Sequence, residues 1–469
     1  MKFFKLSLAA SVALGAFSTA SFAQPLEEAI KGVDVKGYLR YRYTDDRYDN
    51  QKFEKNKVGD KARHQWRGQV DFKTPTMNAI SVNLGLLYTN NNETNHGKGG
   101  NTVGQYYGSL PSGQDNSFNL RTLYLNITPD STATDIRVGK QILDTPITGS
   151  DDRGVGFLAF NRDIAGLTLA LGAFDTWSID DRSKVGDGNG FVKPFYTLAA
   201  IYSADSSIGN IGAQAWGFVI DDIVDASAFL ELSWKNSLLN AKLQYAFAKL
   251  ENGDGSPIQT TNTKAFNNNG NNGAVAGKGG GLPQDNDVLS FQIGADFTKD
   301  FNVPFNARLG YLTNFKDGTV ALLDSEGELA KAGKIWFANT ATAVNFGLAN
   351  GLSGTSLYGT ETDLEVFYGA IGYGLVDGRL KLGLEAAFGE NKMSWTGDIA
   401  GKAGQLADKT KFTEVTPTIS WKYNKNLNLS AYYAMLSTEN SVKKDDSAKK
   451  DTYADEDRNR LRLEARYSF

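Results

Sequence analysis

Arg460-Leu461-Arg462-Leu463-Glu464-Ala465-Arg466-Tyr467-Ser468-Phe469 alternates polar and apolar side chains without a break and closes on an aromatic. Strand side chains point to opposite faces with period two, so Leu461, Leu463, Ala465, Tyr467 and Phe469 share one face. Arg460, Arg462, Glu464, Arg466 and Ser468 share the other. A strand with one greasy and one heavily ionised face fits a boundary between lipid and water, which is the position of a strand in an outer-membrane barrel. An edge strand of a soluble sheet is the plainer alternative.

The rest of the chain favours the barrel. After the N-terminal segment, no uninterrupted apolar run reaches the roughly 18 residues that a transmembrane helix needs. The best stretch, Val155 to Phe174, is broken by Arg162 and Asp163. Without helices, only a closed barrel pairs every backbone N–H and C=O away from lipid. Windows with period-two alternation or β-branched and aromatic enrichment run from 33–43, 62–73, 79–89 and 118–128 to 411–423, 427–438 and 456–469. The expected fold is therefore all-β, a transmembrane antiparallel barrel of 18 strands, with 16 as the alternative if weak windows such as 211–220 fail.

The links between windows sort by length. Short ones such as 74–78, 129–132, 162–165 and Asp377 alternate with long ones such as 44–61, 90–117, 251–287 and 317–361. Short periplasmic turns and long external loops produce this alternation. Asn267-Asn268-Asn269-Gly270 and Gly277-Lys278-Gly279-Gly280-Gly281 read as wet, exposed loop, and the latter lacks the spacing of a phosphate-binding loop. Aromatics near window ends, including Tyr41, Trp66, Phe174, Trp234, Phe315 and Trp421, suit interfacial girdles.

Lys2 and Lys5, the apolar stretch Leu6 to Phe17, and Ser21-Phe22-Ala23 make residues 1–23 a secretion signal, leaving 24–469 as a single barrel domain in the bacterial outer membrane. The absence of cysteine removes disulfides and thiolate chemistry, and His64 and His96 stand in no catalytic or zinc context. The chain is not expected to be an enzyme or to require a cofactor, and a net charge of −4 argues against nucleic acid as partner. A barrel phospholipase or protease would need a nucleophile and base that are not evident. A barrel that serves mainly as an adhesin or structural scaffold is the stronger alternative. A TonB-dependent transporter would carry a long plug before the first strand.

With the apolar set facing lipid, the alternate set faces water. Arg40 and Arg42 in the first window, Arg63 and Arg67 in the second, and Arg121 and Arg137 further on make a basic wall, although Arg121 shares parity with Leu123 and Leu125. Outward arginines would cost about 2–4 kcal/mol each at the bilayer midplane. An 18-stranded barrel is otherwise an open hole, so a loop should narrow it. The third external link, Leu143 to Arg153, is placed to do so, with Asp144, Asp151 and Asp152 facing the arginines. Asp151, Asp152, Asp180 and Asp181 are also candidates to hold Ca²⁺, which takes about six to eight oxygens.

Pro25-Leu26-Glu27-Glu28-Ala29-Ile30-Lys31, Val33-Asp34-Val35 and Leu39-Arg40-Tyr41-Arg42-Tyr43 closely resemble the mature N-terminus of the major outer membrane protein, a porin of Campylobacter-type bacteria. The resemblance recurs at Leu123-Tyr124-Leu125, Gly139-Lys140-Gln141, Gly166 to Ala170 and the terminal strand. That strand also resembles the signal read by barrel-assembly machinery, ending in Phe469. The resemblance implies an 18-stranded homotrimeric porin that passes small hydrophilic solutes and ions, prefers cations, and can hold calcium near its constriction.

Overall fold

The computed structural model describes residues 32–49, 61–95, 105–107, 118–179, 193–251, 283–339, 342–348, 361–394, 409–441 and 457–469. The signal segment 1–23, the Leu26 to Lys31 stretch, and the Asn- and Gly-rich run 267–281 lie outside them. The chain makes β1 (Asp34–Asp49), β2 (Lys61–Lys73), β3 (Ile80–Asn95), β4 (Phe118–Ile127), β5 (Thr134–Ile142) and β6 (Arg153–Asn161). It continues with β7 (Leu167–Ser178), β8 (Phe195–Ser206), β9 (Gly209–Ile220), β10 (Val224–Lys235), β11 (Leu239–Leu250) and β12 (Asp285–Asp296). The last six are β13 (Phe305–Thr313), β14 (Glu361–Leu375), β15 (Leu380–Ser394), β16 (Lys409–Lys422), β17 (Leu427–Ser441) and β18 (Asp457–Ser468).

Each strand pairs antiparallel with its sequence neighbours, and β1 pairs with β18 from Tyr38↔Ser468 to Asp49↔Asp457. The sheet is thereby closed and has no free edge, as a membrane barrel requires. Every sequence window overlaps one strand, including the weak one at 211–220, which lies within β9. Link lengths segregate as expected. In the β14–β15 turn Val376 and Asp377 adopt φ of 53° and 54°, the left-handed pair that matches a hairpin's right-handed twist.

Outward side chains are apolar around the barrel: Leu198, Leu309 and Phe367 are over 60% exposed. Their inward neighbours divide the lumen into two kinds of wall. On β6 to β9 and β12 to β17, inward positions carry buried apolar groups, among them Phe174, Phe195, Trp216, Phe218, Val288 and Phe412. Phe174 is therefore not part of an interfacial girdle but faces inward, stacked on Phe195 at a 5.8 Å centroid separation. On β18, β1 and β2 the inward positions are ionised. In register, Arg40 lies between Arg67 of β2 and Arg466 of β18, and Thr44 between Arg63 and Arg462.

A mid-strand outward substitution tests this assignment. Leu309→Arg is expected to lower barrel stability by about 2–4 kcal/mol, read as a shifted urea midpoint for folding into lipid vesicles, with a much smaller effect for the inward neighbour Arg308→Gln.

Candidate functional site

The apolar wall exists because loops fold onto it. Residues 143–152 turn inward, burying Leu143 and Ile147. The long link after β13 also enters the barrel, burying Val320-Ala321-Leu322-Leu323, Ile335-Trp336 and Val344 with Phe346. This corrects the reading of the link 317–361 as an external loop: residues 317–339 and 342–348 line the interior. The two loops are laced together by backbone. Leu323 N–H and Asp324 N–H donate to Ile147 C=O at 2.9 and 3.1 Å, and Glu328 N–H donates to Pro146 C=O at 2.8 Å. They touch so closely that a Cβ at Gly149 would lie 2.5 Å from Asp324 Oδ2.

Side chains of the wall hold the second loop. Gln244 of β11 accepts Ala330 N–H and donates to Glu328 C=O, and Ser290 of β12 donates to Ala330 C=O at 2.8 Å. Glu414 of β16 is fully buried, and its carboxylate accepts the consecutive N–H groups of Lys334, Ile335 and Trp336, the last two at 3.0 and 2.9 Å, together with the Thr416 hydroxyl. Three backbone donors aimed at one carboxylate repay much of its desolvation. Trp336 then stacks on Phe412 at 5.5 Å, and Lys334 Nζ reaches Glu385 of β15 at 2.7 Å. Glu414 thus fixes both the loop and the cation that the loop presents to the lumen.

The first loop meets the ionic wall. Asp151 pairs with Arg67 at 2.6 Å and with Arg121 at 3.1 Å, and Asp144 pairs with Arg137 at 3.0 Å. Asp152 is buried and accepts Gly149 N–H at 2.7 Å within its own loop. Arg121 reaches Asp151 because β4 is irregular: Gly85 pairs with Thr122 and Leu86 with Leu120, which leaves Arg121 as the extra residue of a β-bulge. A bulge re-aims one side chain without moving the rest off register. Leu123 stays outward while Arg121 turns in, which resolves the parity conflict in the sequence. Arg42 pairs with Glu464 at 2.8 Å, and Arg63 joins Arg458 and Arg460 around the buried Asp46. Arg40 carries no hydrogen bond or ion pair among the described residues.

Of the four carboxylates considered for calcium, Asp180 and Asp181 lie outside the described residues, and Asp151 already has two guanidinium partners. Among the described residues, no three acidic or histidine side chains converge in a way that could hold a metal. The inward loops leave a cavity of about 1260 Å³ toward the short-turn end, lined by Arg308, Lys334, Lys381, Glu385, Arg462 and Glu464 among others.

The model of the Campylobacter major outer membrane protein family matches residues 1–467. The chain belongs to the Campylobacter major outer membrane protein family. Membership of the Campylobacter major outer membrane protein family places the barrel in the outer membrane, and family and fold together indicate a channel rather than an enzyme. Among solved structures the fold is similar to Pseudomonas aeruginosa OpdK, crystallised with vanillate, with TM-score 0.55, 14% identity and coverage of 93% of this chain and 99% of that one. It is also similar to Pseudomonas aeruginosa OpdQ, with TM-score 0.58, 12% identity and coverage of 93% and 98%. Acinetobacter baumannii OccAB3 gives TM-score 0.57 at 15% identity, with coverage of 94% and 100%. No curated protein sequence matches this member of the Campylobacter major outer membrane protein family.

Two measurements probe the lining loop. Glu414→Ala strands three buried donors at about 1–3 kcal/mol each, so it should lower the thermal midpoint in detergent and raise current noise across a bilayer, while Glu414→Gln does so less. Lys331, half-buried near Asp324 and Glu326, is pushed down to about 8 by desolvation. A lowered base means that the unfolded chain binds more protons between about 8 and the ordinary 10.5, so stability rises with pH across that window. Lys331→Met should flatten that rise.

Proposed function

We propose that the protein forms a water-filled channel for passive diffusion of ions and small hydrophilic solutes, with a preference for cations. The observation that carries the reading is the divided lumen: apolar loops pack against one side, and the other side, on β18, β1 and β2, carries ionised inward side chains. Charges of both signs held by protein in a low-dielectric frame order water and distinguish ions by sign. The cation preference is supported by the family relationship and by a net charge of −4. Homotrimeric assembly, recognition by barrel-assembly machinery through Phe469 and export with removal of residues 1–23 belong to this reading, supported by the family relationship and the sequence pattern.

Purified protein in a planar bilayer should give single-channel steps in KCl. Asp151→Asn removes the partner of Arg67 and Arg121, so the reversal potential in a salt gradient should move toward that of chloride. No steps would overturn the channel, and an unmoved potential would take Asp151 out of its selectivity.

A further inference from the structure

The cavity below the lining loop carries four basic side chains, Arg308, Lys334, Lys381 and Arg462, and four acidic ones, Asp296, Asp377, Glu385 and Glu464. Its deep carboxylates are already engaged: Glu385 by Lys334 Nζ and Gly333 N–H, and Glu464 by Arg42. Of its cations, only Lys334 is engaged in this way. Arg308, Lys381 and Arg462 line the same cavity and have no carboxylate partner among the described residues. The Nε atoms of Arg308 and Arg462 are shielded from solvent and make no hydrogen bond there. Arg462 is braced by Tyr432, its guanidinium carbon 5.3 Å from the ring centroid, so the fork is held in place rather than sweeping through water.

From these observations we propose that the cavity is a binding site for small polycarboxylate solutes, held by Arg308, Lys381 and Arg462. Guanidinium forks match carboxylates in two-pronged geometry, and three separate cations suit a solute with more than one carboxylate. Bulk cation preference is set by the field along the whole passage, whereas retention of a polyanion is set by local unpaired groups. Both properties therefore coexist in one bore.

The inference rests on the channel reading, and one recording separates the two. Channels are opened in KCl, and citrate is then added, with mannitol as the neutral control. Citrate should interrupt the current in a concentration-dependent way that mannitol does not reproduce. Arg308→Gln combined with Arg462→Gln should raise the half-blocking citrate concentration about tenfold or more, the loss of one to two charge-assisted hydrogen bonds. Arg462→Lys, which keeps the charge and loses the fork, should shift it severalfold and serves if the double variant does not fold. Steady channels that citrate does not block, or variants blocked like the parent, overturn the site and leave the channel standing. Absence of channels in KCl alone overturns both.

Discussion

Everything in this molecule depends on the seam between β1 and β18. Lipid offers no partner to a backbone N–H or C=O, so a sheet is stable there only if its two edges satisfy each other. Twelve paired positions from Tyr38↔Ser468 to Asp49↔Asp457 do this. The seam is reinforced inside by Asp46, which is buried and takes Arg458 and Arg460 from β18 and Arg63 from β2. A buried carboxylate with several guanidinium partners is costly to break, because removing either side leaves an uncompensated charge. Closure and charge arrangement are thus the same event at this place.

Closure alone would give a hole, and the loops turn it into a passage. The inward segments bury apolar side chains against an apolar inner wall much as a soluble protein builds its core. Their backbone polar groups are met by Gln244, Ser290 and Glu414, or by the other loop. One wall of the bore is consequently a packed interior, rigid because interiors are close-packed. The opposite wall is ionic. Transport properties follow from that asymmetry, since solutes see a fixed constriction on one side and a charged surface on the other.

Most of the architecture is legible in the sequence because period two is a strong local signal and because link lengths alternate. All eighteen strands of the barrel could be placed in this way. What escaped is non-local. Nothing in the immediate sequence marks Arg121 as a bulge; only its disagreement in parity with Leu123 hints at one, and the pairing with Gly85 and Leu86 decides it. The lining role of residues 317–339 had a visible trace in Val320-Ala321-Leu322-Leu323 and Ile335-Trp336-Phe337, clusters too greasy for a loop in water. Length alone made it look external. Phe174 has the composition of a girdle residue, and only its burial and its stacking on Phe195, which also meets Trp177, show that it faces inward. The pairings of Asp144 with Arg137 and of Asp151 with Arg67 and Arg121 needed the bulge and the loop's path as well as the charges.

The Asp46 cluster joins residues more than 400 positions apart along the chain, with Arg460 separated from it by 414. Contacts of such high contact order close late, after nearly all the intervening polypeptide has found its neighbours. Until then the sheet presents two raw edges, each a template for pairing with another chain. The carboxylate at position 46 therefore works as a clasp fastened at the end of assembly.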